Sequence, residues 1–238
     1  MARNLRKFAT VADYQSAQLI KPAVSLIEAT DVVFFDQKEV VPTFGGLTVK
    51  YNIEDPTVEV QLFNGGGSST SESSSESGSG GGGGALPTRM IVDGVEETPI
   101  NTWRFETAGE HIVQYEFENN EISVYFENID IITNVIFGNS ITEIPYFAGV
   151  ATIFGSCTSL SSVTIGNSVT SIGYMAFRDC SSLTSITCLA LEPPVLNGGV
   201  FVNTNNCQIY VPASAVDVYK ESTSTGWSEY ASRIQAIQ

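Results

Sequence analysis

Four phrases, ITNVIF at 132–137, LSSVTI at 160–165, LTSITC at 183–188 and NCQIYV at 206–211, align with steps of 28, 23 and 23 residues and superimpose Val135, Val163, Ile186 and Ile209. A self-similar period of this length marks a stacked-repeat solenoid, in which each unit buries its apolar row only against a neighbour. A second strand-like phrase follows in each unit: SITEI at 140–144 matches SVTSI at 168–172, each preceded by Gly-Asn at 138–139 and 166–167. Gly-Asn tolerates positive φ and is expected to turn the chain between two short strands. The phrase YFAG at 146–149 parallels YMAF at 174–177, where an aromatic and an alanine are expected to face inward.

Four units barely exceed the number that stacking needs, so both ends require covers. Alternating segments MIVDGV, TWRFE, EHIVQYEF and EISVYF, joined by turns at Asp93-Gly94, Ala108-Gly109 and Asn119-Asn120, predict antiparallel hairpins at the front. At the back, Ser214 is placed as the N-cap of a helix carrying Val216, Val218 and Tyr219. A second helical turn around SEYASRIQAI would set Tyr230, Ile234 and Ile237 on one face.

Ahead of this region, residues 65–84 are nearly pure Gly, Ser and Glu and cannot repay the entropy of ordering, so they read as a flexible tether. A coil of about 20 such residues spans roughly 25 Å r.m.s.. In the first 64 residues, VADYQSAQLI suggests a short helix, and AVSLIEA, DVVFFD, LTVKYNI and TVEVQLF suggest strands. The resulting division is a small N-terminal β-rich (α+β) module at 1–64, a Gly/Ser linker at 65–85, a hairpin region at 86–130, and repeats with a C-terminal helical cap at 131–238. The class is mostly β.

The 238 residues carry a formal net charge of −15. That surface repels nucleic-acid backbones and anionic headgroups, so neither nucleic acid nor membrane is an expected partner. The N-terminal stretch MARNLRKFATVADYQSAQ has no apolar run of secretory type, and no stretch approaches the roughly 18 apolar residues of a membrane helix.

The chemistry-bearing residues are sparse. Cys157, Cys180, Cys188 and Cys207 lack C-x-x-C spacing, which argues against zinc; Cys157 and Cys180 occupy equivalent interior places, as reduced thiols or as a stacked disulfide. The single histidine, His111, opens a strand and is a weak candidate for a catalytic base. Glu96, Glu97, Glu116, Glu118, Glu121 and Glu127 crowd the hairpins. A solvated acidic face and a weak Ca²⁺ site both fit them, although no D-x-[DN]-x-[DN]-G loop is present. The Gly-rich run lacks the G-K-[ST] ending of a phosphate loop. No motif calls for a cofactor. Candidate ligand contacts are Tyr146, Tyr174, Met175, Arg178 and Trp227.

The pattern L-x-x-V-x-I-x-x-S-V-T-S-I-G-x-x-A-F-x-x-C-x-x-L at Leu160–Leu183 resembles the BspA-type leucine-rich repeats, with Val163, Ile165, Ser168, Val169, Ile172, Gly173, Ala176, Phe177 and Cys180 in register. Thr142-Glu143-Ile144-Pro145 departs from T-S-I-G, and five extra residues follow near 150–154. The ending EPPVLNGGVFVNTNNCQIYVPASAVDVYK is similar to the terminal unit of such arrays. The front stretch RKFATVADYQSAQLIKPAVSLIEATDVVFFD resembles the N-terminal segment of virion-associated, fibre-like proteins of tailed phages of gut Bacteroidota. Together these resemblances imply a non-enzymatic virion structural protein, assembled in the host cytoplasm. In it residues 1–64 dock onto other virion proteins, as a homo-oligomer, and the repeats bind a host surface glycan or protein. A bacterial cell-surface adhesin and a hydrolase are the alternatives.

Overall fold

The computed structural model describes residues 32–35, 39–42, 44–65, 85–147 and 152–237. The helix expected in VADYQSAQLI, the strand expected in AVSLIEA and the body of the Gly/Ser run lie outside them, as does the alanine of YFAG.

The strands in chain order are β1 (Val32–Phe35), β2 (Glu39–Pro42), β3 (Leu47–Ile53), β4 (Val60–Gln61), β5 (Arg89–Val92), β6 (Val95–Glu97), β7 (Thr102–Trp103), β8 (Gly109–Glu116), β9 (Ile132–Phe137), β10 (Glu143–Ile144), β11 (Ser162–Ile165), β12 (Ser171–Ile172), β13 (Ser185–Cys188), β14 (Val195–Leu196), β15 (Gln208–Val211) and β16 (Ile234–Ala236). Among the described residues one α-helix, α1 (Val216–Glu221), lies near the C-terminus. β1 and β2 form an antiparallel pair.

Nine strands make one sheet in the order β16-β15-β13-β11-β9-β3-β8-β5-β6. From β9 to β16 the pairing is parallel, and Val135, Val163, Ile186 and Ile209 are direct partners, as their alignment in the sequence predicts. The row continues into Ile234 of β16. The second phrases form a three-stranded parallel sheet, β10-β12-β14, with Ile144 opposite Ile172 and Ile172 opposite Leu196.

The Gly-Asn corners work differently from expectation. Neither Gly138 nor Gly166 has positive φ; both are glycine because neighbouring backbone passes too close for a side chain. A Cβ on Gly138 would overlap the Phe44 carbonyl oxygen and stand 2.6 Å from those of Gly45 and Gly46, and one on Gly166 would stand 2.7 Å from the Phe137 carbonyl oxygen. Gly138→Ala is therefore expected to cost about 1–3 kcal/mol, as overpacking does. A chemical-denaturation midpoint that falls with an unchanged slope would register it.

Between the sheets runs a file of rings. Phe126, Phe154, Phe177 and Phe201 stack with interplanar angles of 9–10° and centroid separations of 4.6, 6.0 and 6.0 Å. Phe177 and Ala176 are buried as YMAF predicts, whereas Tyr174 points outward. Cys157 and Cys180 occupy equivalent places beside this file. Their thiols donate to the carbonyls of Phe126 at 2.9 Å and Phe154 at 3.0 Å. All four cysteines are free and buried, and burial pushes the Cys180 thiol up to about 12 and that of Cys188 up to about 11.

The front cover departs from the expected division. β3, read from the sequence as part of a separate module, lies inside the sheet, antiparallel both to β9 and to β8. Its alternate residues Leu47, Val49, Tyr51 and Ile53 are buried in the common core, so the boundary at residue 64 cuts through one folded unit. The predicted hairpin turn at Asp93-Gly94 is present, with φ of 48° and 82°, and joins β5 to β6. EISVYF does not form a ladder strand. Instead Tyr125 bridges Asn64, and Phe126 heads the ring file, because Asn119 and Asn120 at φ 54° and 59° redirect the chain before it. Glu116 ends β8 and Glu118 opens a 3-10 turn.

Both flanks of the Gly/Ser run are fixed to one short stretch. Asn64 exchanges backbone hydrogen bonds with Tyr125 at 2.6 and 3.1 Å, and the Ser123 hydroxyl donates to the Ala85 carbonyl at 2.7 Å.

The C-terminal cover is α1 with a 3-10 helix, Trp227–Arg233. Ser214 is not an N-cap; it lies within the 3-10 turn Ala213–Ala215, and no side chain caps α1. Ile234 is not helical either, because its backbone is taken by the parallel edge of β15.

Candidate binding surfaces

Four of the five candidate contacts form two neighbouring pairs, Tyr146 with Tyr174 and Met175 with Arg178. Tyr146 follows β10 and Tyr174 follows β12, where the Gly173 N–H donates to the Ile144 carbonyl at 2.8 Å and sets the two turns in register. Their rings are 48% and 42% exposed and meet edge to face at 5.7 Å. In the next unit Gly198 stands in the equivalent place, and a Cβ there would be 3.6 Å from the Tyr174 ring, so the second ring rests over bare backbone. Met175, held at φ 55°, receives a hydrogen bond on its sulfur from Arg178 Nη1 at 3.5 Å. Arg178 Nε contacts Asp179 Oδ2 at 2.8 Å, and Asn203 Nδ2 donates to Asp179 Oδ1 at 2.6 Å. The corner thus combines an aromatic pair, a thioether and a planar cation fixed by a carboxylate. This set can stack on a flat apolar face while donating hydrogen bonds at its rim.

Trp227 does not join it. The indole is fully buried, its Nε1–H donates to the Pro194 carbonyl at 2.6 Å, and its ring packs on Tyr219 at 4.9 Å and Phe201 at 6.0 Å. A large ring is what closes the last open layer of a stack, and the partner carbonyl satisfies its one polar group. Trp227 is a cap residue.

His111 is enclosed, with its ring stacked 4.3 Å from Phe105. Nδ1 faces Asp93 Oδ2 at 2.6 Å and Nε2 faces the Thr107 carbonyl oxygen at 2.8 Å, with the Thr107 hydroxyl at 3.4 Å. Asp93, His111 and Thr107 follow one another in the order of a nucleophile relay. The Nε2 nitrogen, however, must donate to that carbonyl and so has no lone pair for a hydroxyl proton. The cluster ties the β5–β6 turn to the loop before β8.

The acidic residues of the hairpins are partly neutralised: Arg89 pairs with Glu96 at 3.2 Å and with Glu116 at 3.3 Å. Among the described residues no group of three His, Cys, Asp or Glu side chains is arranged to hold a metal ion.

Sequence reasoning missed a groove of about 540 Å³ lined by Val60, Gln61, Asn64, Tyr125 and the segment 127–131. Its parts come from β4, from the Asn64–Tyr125 bridge and from the turn before β9. No sequence period links them; the only local sign is the polar phrase Glu127-Asn128-x-Asp130 between apolar residues. A second groove of about 540 Å³ lies where the longer corner Leu189–Pro194 faces Asn167, Val169 and Thr170.

The family model for the BspA type leucine rich repeat region matches residues 122–224 in 6 copies. The match opens ahead of residue 131, in agreement with Phe126 at the head of the ring file. No curated protein matches the chain.

Proposed function

We propose, from BspA-type leucine-rich repeats at residues 122–224 as the premise, that the chain is a non-enzymatic adhesion-type protein. Its outer corner, carrying Tyr146, Tyr174, Met175 and Arg178, contacts a glycan or protein on a bacterial surface. The observation that carries this reading is the pair of exposed tyrosines, which packing alone does not require: the preceding and following core positions are filled without them. Interface hot spots favour such anchors, tyrosine and arginine among them. Repeat architectures bind through their broad surfaces, and modest contacts gain strength from many copies.

The finer reading is a virion structural protein of a phage, docked onto the particle by its N-terminal part as a homo-oligomer. It rests on the resemblance read in the stretch RKFATVADYQSAQLIKPAVSLIEATDVVFFD. A bacterial cell-surface adhesin is the second reading, favoured by the same repeats. Detection of the chain on purified particles is the expected result; its recovery only in bacterial envelopes decides for the second reading. In a cell-binding assay the double variant Tyr146→Ala/Tyr174→Ala is expected to weaken attachment by about tenfold or more. Unchanged attachment would remove the corner from the reading.

A further inference from the structure

We infer that the groove between β4 and the turn at 125–131 is a binding site for a neutral sugar, distinct from the tyrosine corner. Its walls are held before any ligand arrives. The Phe126 N–H donates to the Ile153 carbonyl at 2.6 Å and the Asn128 N–H to that of Gly155 at 2.9 Å, so the turn is pinned to the next repeat. Asn64 Nδ2 donates to the Glu127 carbonyl at 2.9 Å, joining the two sides of the groove. The Tyr125 ring is braced by Phe147 at 5.8 Å.

Both carboxylates are anchored through one oxygen. Asp130 Oδ1 accepts from the Thr158 hydroxyl at 2.9 Å and from its N–H at 3.3 Å, while Glu127 Oε1 accepts from the Thr152 hydroxyl at 3.2 Å. Both residues line the groove, and each carboxylate keeps a second oxygen that can accept from a ligand. Fixed acceptors beside a half-exposed aromatic ring suit a polyol: vicinal hydroxyls donate to the carboxylates, and the C–H face of the sugar lies on the ring. Fixing these groups in advance lowers the entropy cost of binding.

The alternatives fit less well. An anionic ligand would meet two carboxylates on a chain of net charge −15. A bare cation would want more oxygen ligands than two side chains supply, and among the described residues no three-carboxylate arrangement is present. The volume falls within the usual range of small-molecule sites.

The test is saturation-transfer NMR on the full chain with neutral monosaccharides as probes, namely glucose, galactose, mannose and N-acetylglucosamine, in buffer containing a chelator. Transfer to at least one sugar is expected. It should weaken by about tenfold in Asp130→Asn, which keeps an oxygen for Thr158 but loses the charge, and in Glu127→Gln, with thermal unfolding of both variants unchanged. Absence of transfer to all four sugars overturns the assignment, and so does transfer that survives both substitutions. The inference does not depend on the adhesion reading. Tyr146→Ala/Tyr174→Ala should leave intact the part of the transfer that Asp130→Asn and Glu127→Gln remove, so failure of attachment and failure of sugar binding in the groove are separate results.

Discussion

A chain lacking residues 1–64 is expected not to fold, whereas one lacking residues 1–43 is expected to retain the repeat domain. The longer deletion removes Leu47, Val49, Tyr51, Ile53, Leu62 and Phe63, all buried. At roughly 1.5–3 kcal/mol for each large side chain the six contribute about 9–18 kcal/mol. That is comparable to the roughly 5–15 kcal/mol by which whole domains are stable. It also strips β9 and β8 of their shared neighbour and leaves two sheet edges unpaired in the middle of the molecule. Tyr51 adds a polar cost: its hydroxyl donates to the Leu62 carbonyl at 2.7 Å and meets that of Tyr115 at 2.8 Å, so its loss orphans a buried phenol. Circular dichroism and size-exclusion chromatography of the two truncations make the comparison. A folded, monodisperse 65–238 fragment would contradict the architecture.

Phe177→Ala is expected to destabilise the chain by about 3–5 kcal/mol, the range for emptying a large aromatic site in a core. Phe177 stacks on Phe154 and Phe201 and meets Phe137 edge-on at 6.2 Å, so one truncation interrupts the ring file at its centre. The repeat order makes relaxation difficult, since the coils on either side are locked by strand register and cannot close the gap. For a domain of this size about 2–4 °C is lost per kcal/mol, giving a fall of about 6–20 °C in Tm. The control is three residues away: Tyr174→Ala should change Tm little, because that ring is exposed. Equal effects at the two positions would refute the inward and outward assignments.

What the sequence made legible was the part governed by local period. The coincidence of Val135, Val163, Ile186 and Ile209 reports strand partners because a parallel ladder places equivalent residues side by side. The inward face of YMAF was readable for the same reason. β3 was read correctly as a strand, with its bounds, but assigned to the wrong neighbours. It pairs with β8, and the hydroxyl contact between the two strands, Tyr51 to Tyr115, spans 64 residues of chain with a featureless run between, so no local pattern encodes such a partner.

The role of Gly138 was hidden similarly, since close approach of another strand leaves the same glycine as a positive-φ turn does. Ile234 carried an apolar spacing that suits a helix face or a strand row equally, and the free edge of β15 decided between them. Of the candidate contacts, Tyr146 and Tyr174 stood out at repeat-equivalent places, with Met175 and Arg178 as long side chains beside the second. Trp227 was not separable from them, because an indole serves a cap and a binding site with the same chemistry. The groove escaped notice because its walls come from segments about 60 residues apart.

The two flanks of the Gly/Ser run are fastened within three residues of one another, at Ser123 and Tyr125. The contour length of that run therefore has no bearing on how far the tyrosine corner stands from the N-terminal part. The relevant connection is the short stretch entering β3 at Phe44, Gly45 and Gly46, whose carbonyls are packed against Gly138. In the many-copy display proposed above, the run would add no search volume to each copy. A free spacer of that composition would span roughly 25 Å, but a run fastened at both ends to the same fold gives the repeat domain no such reach.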